Sequence, residues 1–158
     1  MSTISLSLDE IFDLAKKTLL ANGCDDETAS ILSDLIRNAE RDGSLSHGLF
    51  RLPAYVSGLK SGKINGKGKP EVKKISASVI KVQGNNCLAP VVLSKGLPEL
   101  SKAAKENGVA VLAINNSHHM AAMWPETEKL AEEGLVAFAC TSYCLLYTSP
   151  SPRDGHQS

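Results

Sequence analysis

Aromatic side chains are scarce in this 158-residue chain: three Phe, three Tyr and one Trp, 4% of its residues. So few rings argue against base stacking or a carbohydrate platform. Net charge is missing too. Lys plus Arg number 17 and Asp plus Glu number 17, so the chain has neither the basic field of a dedicated nucleic-acid binder nor an acidic solvating tail. No apolar run approaches the roughly 20 residues that span a bilayer, so no membrane partner is expected. The N-terminus, MSTISLSLDEIF, lacks a basic start followed by an apolar stretch; no export leader is expected, and the cytoplasm is the expected compartment. Cys24, Cys87, Cys140 and Cys144 form no CxxC pair and match no zinc spacing, and they read as reduced thiols. GxGxxG, GxxxxGK[ST], GxSxG and HExxH are all absent, which removes the standard dinucleotide fingerprint, the phosphate loop, the nucleophile elbow and the zinc-protease helix. What is present is 42% hydrophobic and 22% charged residues, enough for a packed core in one domain or a domain with an appendage.

Local signals organise the first part of the chain. Ser7 with Glu10 reads as a capping box, followed by Leu8, Ile11, Phe12, Ala15 and Leu19 at helical spacing and by Gly23 as a stop. A second helix starts near Asp25 or Asp26, carries Ile31, Leu32, Leu35, Ile36 and Ala39, and closes in Glu40-Arg41-Asp42-Gly43. The two should pack as an antiparallel pair. A third helix either begins at Pro53 or starts near Ser46 and bends at Pro53. Residues 60–70, with three glycines and four lysines, read as an exposed loop.

The remainder reads as α/β. Residues 72–83 alternate and predict one or two strands. Residues 90–107 predict a helix, with a break at Pro98 left open, closed by Gly108. The run Val109–Ile114 predicts a strand covered on both faces. A helix over 124–133 leads to a second such strand at 135–140, and the two would pair in parallel across that helix. Residues 144–158, CLLYTSPSPRDGHQS, have no usable periodicity and are expected to be a disordered tail.

Two polar clusters could carry chemistry. In the first, His47 and Arg51 would share one face of a helical turn. An imidazole beside a guanidinium makes sense with an anion between them: Arg suits a planar carboxylate through two parallel hydrogen bonds, and His can exchange a proton near neutral pH. Ser46 reads either as part of this site or as a helix cap. A hydrolase built on Ser46 and His47 is disfavoured, since adjacent side chains rarely aim at one another and no elbow is present. The second cluster, Asn115-Asn116-Ser117-His118-His119, is placed after a strand and before a helix, where open α/β sheets bind ligands; a polar turn that caps the helix is the other reading. Ala121 and Ala122 would let a ligand approach the backbone. No carboxylate or cysteine is spaced to complete a metal site with the histidines, so none is expected.

Both clusters lie in longer matching blocks. ERDGSLSHGLFRLPAYVSGLKSGKING resembles the N-terminal signature of the type-2 malate/L-lactate dehydrogenase family, and NNSHHMAAMWPETEKLAEEGLVAFACT resembles its second block. HHMAAMWPE is most similar to the Δ1-piperideine-2-carboxylate/Δ1-pyrroline-2-carboxylate reductase branch. The likeness covers residues 5–143. It implies an α/β fold that is not the Rossmann one, with a helical substrate and dimerisation segment over 1–70 and part of a cofactor-binding domain over 71–143. It implies reduction of a small 2-oxo acid or cyclic 2-imino acid by NADPH or NADH, with homodimerisation of the full-length protein. It makes His47 the catalytic acid/base, Ser46 its relay partner and Arg51 the substrate-carboxylate ligand. His119, Met120, Ala121, Ala122 and Met123 would line the NADP site, with Met120 where the family usually carries an aromatic. The family's chain is longer, and residues 144–158 resemble translated adapter sequence, so a truncated copy is expected, with the acidic third relay residue beyond it. An inert fragment or a small-anion-binding domain without redox activity is the alternative reading.

Overall fold

The computed structural model describes residues 4–118 and 121–141. Helices α1 (Leu8–Ala21), α2 (Asp26–Arg41) and α3 (Leu52–Lys60) come first, with two single 3-10 turns, Leu45–His47 and Leu49–Arg51, between α2 and α3. Strands β1 (Glu71–Ser76) and β2 (Val79–Leu88), helix α4 (Ala89–Asn107), strand β3 (Val111–His118) and helix α5 (Trp124–Glu132) follow. The sheet order is β1-β2-β3, with β1 antiparallel and β3 parallel to β2.

The helix boundaries follow from local chemistry. The Ser7 hydroxyl accepts the Glu10 amide at 3.2 Å, and the Glu10 carboxylate accepts the Ser7 amide at 2.8 Å, so two of the orphan donors at the start of α1 are satisfied reciprocally. Asp25 caps α2 by accepting the Thr28 amide at 2.9 Å, and the Lys69 ammonium reaches the same carboxylate at 2.9 Å. Partial burial pushes the Asp25 carboxyl up, but the Thr28 amide and Lys69 outweigh it and bring it down to about 2. A depressed carboxyl stabilises the fold above its unfolded pKa and loses that contribution as pH falls through the folded value. Asp25→Ala is therefore expected to cost about 0.5–2 kcal/mol near neutrality. The gap from the parent should close as urea titrations are carried from pH 5 toward 2.

Two core clusters meet at α2 and the end of β2. Ile11, Ala15, Leu19, Leu32, Ile36 and Tyr55 join α1, α2 and α3, and Leu88 of β2 belongs to the same cluster. Ile80, Val82, Val91, Val92 and Ala103 join the sheet to α4, and Ile31 of α2 packs against them. The stretch between α3 and β1 is only partly the exposed loop expected: Ile64, Gly66 and Gly68 are buried, and the Gly66 carbonyl accepts the Asp25 amide at 3.0 Å. Helix α4 runs through Pro98 without a break.

Three expectations fail in the sheet. Residues 135–140 form no strand; Val136 and Phe138 are 104% and 92% exposed. The parallel pair is β2–α4–β3 instead. Nor is β3 covered on both faces, since its exposed and half-buried residues alternate and Val111 is 56% exposed. A run of apolar residues supplies strand propensity, but a strand also needs a ladder partner, and residues 135–140 pair with none of the described strands although β3 is an edge strand. Asn115–His118, expected after the strand, lie within it. The β2–β3 register shifts between Gln83 and Cys87, where Asn85, Asn86 and Asn116 adopt left-handed φ of 49°, 61° and 50°. Gly84 permits this approach: a Cβ there would meet the Asn116 carbonyl at 2.6 Å. No helix among the described residues is long and apolar enough to cross a membrane. Residues 144–158 lie outside the described residues.

Candidate active site

Ser46, His47 and Arg51 do not share a regular helical turn as the spacing predicted. Gly48, at φ −86° and ψ −136°, separates the two 3-10 turns, and α3 begins only at Leu52, with Pro53 in its first turn. A Cβ at Gly48 would sit 2.1 Å from Glu40 Oε1, the oxygen that accepts the Leu49 amide at 2.8 Å. Glu40, at the end of α2, thus braces the loop that carries the site, and only glycine leaves it room. Gly48→Ala is expected to displace that carboxylate and to cost about 1–2 kcal/mol in denaturant unfolding. In a Glu40→Ala background the added cost should largely vanish, because the two positions share one interaction.

Within this loop the His47 Nδ1 lies 3.0 Å from Ser46 Oγ and 3.2 Å from Ser44 Oγ. A hydroxyl both donates and accepts, so the serines can satisfy Nδ1 whether the ring is neutral or protonated. Burial, and then the nearby Arg51, hold the half-buried imidazole below its ordinary pKa. Arg51 Nε donates to the Ser46 carbonyl at 2.8 Å, which fixes the guanidinium to the turn that carries His47. Among the described residues no carboxylate forms an ion pair with it. Next to Arg51 in the core, the Tyr55 phenol is fully buried, which pushes it up to about 12 against the opposing influence of Arg51.

The second cluster reaches the first through Trp124, at the start of α5. Its ring stands edge-to-face to His47, centroids 6.0 Å apart and planes at 75°. His119 and Met120 lie outside the described residues. Ala121 and Ala122 are 8% and 6% exposed, and Met123 is half-buried; the alanines are covered by the chain rather than open to solvent. No group of three metal-type ligands occurs among the described residues. Cys24, Cys87 and Cys140 are free thiols, and Cys144 lies outside the described residues.

Ser44, Glu40 and Trp124 carried no motif of their own. Ser44 stands three residues before His47, the one signal that could have drawn attention to it. A groove of about 670 Å³ between α4 and α5 shares no lining residue with this site, and its Ser101 and Lys105 already bond the Glu133 carboxylate.

The sequence profile of malate/L-lactate dehydrogenases matches residues 6–150. The chain is 40% identical over 137 residues to a Δ1-pyrroline-2-carboxylate/Δ1-piperideine-2-carboxylate reductase of Pseudomonas syringae pv. tomato, covering 87% of this chain and 40% of that protein. It is 37% identical over 134 residues to a (2R)-3-sulfolactate dehydrogenase (NADP(+)) of Chromohalobacter salexigens, covering 85% and 40%. The crystal structure of Δ1-piperideine-2-carboxylate reductase from Pseudomonas syringae superposes with a TM-score of 0.80 at 39% identity, over 84% of this chain and 40% of that one. The chain spans about 40% of the length of these relatives. A family profile spanning most of the chain and a shared α/β fold outside the Rossmann class lead to one conclusion: this chain belongs to the malate/L-lactate dehydrogenase family.

Proposed function

We propose that this chain carries the proton-donating and carboxylate-binding part of an NAD(P)H-dependent reductase acting on a small 2-oxo acid or cyclic 2-imino acid. The observation that carries the reading is the loop of two short turns in which His47 Nδ1 stands 3.0 Å from Ser46 Oγ while the Ser46 carbonyl holds Arg51 at 2.8 Å. A proton donor and a carboxylate receptor are thus fixed to one rigid unit, as reduction at the carbon next to a carboxylate requires.

In this reading Arg51 binds the substrate carboxylate with the guanidinium nitrogens that its bond to Ser46 leaves over. That places the adjacent carbonyl or imine beside His47. A reduced nicotinamide, when bound, supplies the hydride that reaches C2. His47 delivers a proton to the oxygen or nitrogen as electron density builds there, and Ser46 supports Nδ1 as the ring becomes neutral. Ala121, Ala122 and Met123, with His119 and Met120, would form the nicotinamide end of the cofactor site. NADP is favoured by the sulfolactate dehydrogenase relative, whose name specifies it. Residues 1–70 then form the substrate side and residues 71–143 the beginning of the cofactor side, with homodimerisation a property of the longer protein.

The test is NADPH and NADH oxidation by a longer protein bearing this segment. Δ1-piperideine-2-carboxylate, Δ1-pyrroline-2-carboxylate and open-chain 2-oxo acids are offered in turn. Turnover with at least one is expected. No oxidation with any of them by a folded protein, shown to bind NADPH by a raised melting midpoint, would overturn the reading.

A further inference from the structure

The indole of Trp124 ties α5 to the loop of the proposed proton donor. It stands edge-to-face to the His47 ring at 6.0 Å. Its N–H side also lies near the Asp42 carboxylate at the end of α2, which is held below its ordinary range chiefly by Arg41 and to a smaller extent by Trp124. His47 is therefore contained on two sides, by the Ser44 and Ser46 hydroxyls at Nδ1 and by an aromatic wall contributed from α5. An imidazole bonded at one nitrogen alone can still tilt about that bond, and a ring packed against it removes the tilt.

We propose that Trp124 is a positioning residue for His47: held edge-to-face against it from the start of α5, its ring fixes the plane of the imidazole and excludes water from one side of it. The inference deepens the reductase reading and rests on it for its catalytic meaning, while the positioning itself is a property of the structure. Trp124 is 38% exposed, so little of the core depends on it and replacement should leave the fold intact. Among the described residues Arg51 is the charge that acts on His47; the neighbouring elements also carry Glu40, Arg41 and Asp42 at the end of α2 and Glu126, Glu128, Lys129 and Glu132 on α5. Substitution of Trp124 changes none of these charges, so a change in His47 reports packing.

The experiment is NMR titration of the His47 C2–H in this chain, assigned by the signal lost in His47→Gln, for the parent, Trp124→Ala and Trp124→Phe. Burial is the first cause of the lowered His47 pKa, so water admitted by Trp124→Ala should move the midpoint up toward the ordinary histidine value. Trp124→Phe keeps a ring but a smaller one that covers less of the imidazole, and should move it the same way by less. Parent-like titration in both folded variants would overturn the proposal. Should Trp124→Ala fail to fold, the direction of the Trp124→Phe shift decides alone. The readout needs neither cofactor nor turnover, so a catalytically silent His47→Gln change in the longer protein would defeat the reductase mechanism without touching this result.

Discussion

Replacing His47 by glutamine, in a longer protein bearing this segment, is expected to lower kcat by about 10²–10⁴, the usual worth of a positioned proton donor. Cofactor affinity should be unchanged. Glutamine keeps a polar side chain of similar reach, so the loss would reflect proton transfer rather than packing. The parent's pH profile should carry the same signature. Donation requires the protonated imidazole, and burial with Arg51 nearby holds that form to lower pH than for a free histidine. In the free enzyme kcat/KM for reduction should fall as pH rises through that lowered pKa. An anionic substrate on Arg51 would favour the imidazolium, so the fall in kcat should lie at higher pH. A kcat within a few-fold of the parent in His47→Gln would remove the imidazole from the mechanism.

Arg51→Ala should act on the other half of the substrate. Two charge-assisted hydrogen bonds to a carboxylate are worth about 1.5–3 kcal/mol each, so kcat/KM should fall by about 10² or more. Most of the loss should enter through KM. Arg51→Lys keeps the charge but not the fork, and should recover only part of it. The substitution has a second consequence. Arg51 contributes to holding His47 below its ordinary pKa, so Arg51→Ala should shift the free-enzyme profile to higher pH. A loss of kcat/KM with no change in KM for the acid, and an unmoved profile, would mean that Arg51 acts only as a strut through its bond to the Ser46 carbonyl.

Much of the helical part was legible because its signals are local. Ser7 and Glu10 sit within one turn, Asp25 faces Thr28 across another, and Gly23 and Gly108 end helices with φ of 99° and 80°. The apolar stripes of α1 and α2 became core through Ile11, Ala15, Leu19, Leu32 and Ile36. Strands in the region of residues 72–83 also followed from alternation, while their antiparallel pairing was set only by the fold. Residues 135–140 were not legible, because six apolar residues specify strand propensity but not a neighbour to pair with.

The site divides along the same line. The sequence by itself determined that a histidine, a serine and an arginine lie within one short stretch, since adjacency along the backbone needs no folding to establish. It did not determine that two 3-10 turns replace a helix there, that Glu40 fills the space where Gly48 lacks a side chain, or that Trp124 meets His47 from a distant part of the chain. Those contacts exist only because α2 and the end of β2 join two packed clusters. Tertiary packing fixes distances between residues that the chain leaves free, and it alone made three neighbouring side chains into a walled and braced site.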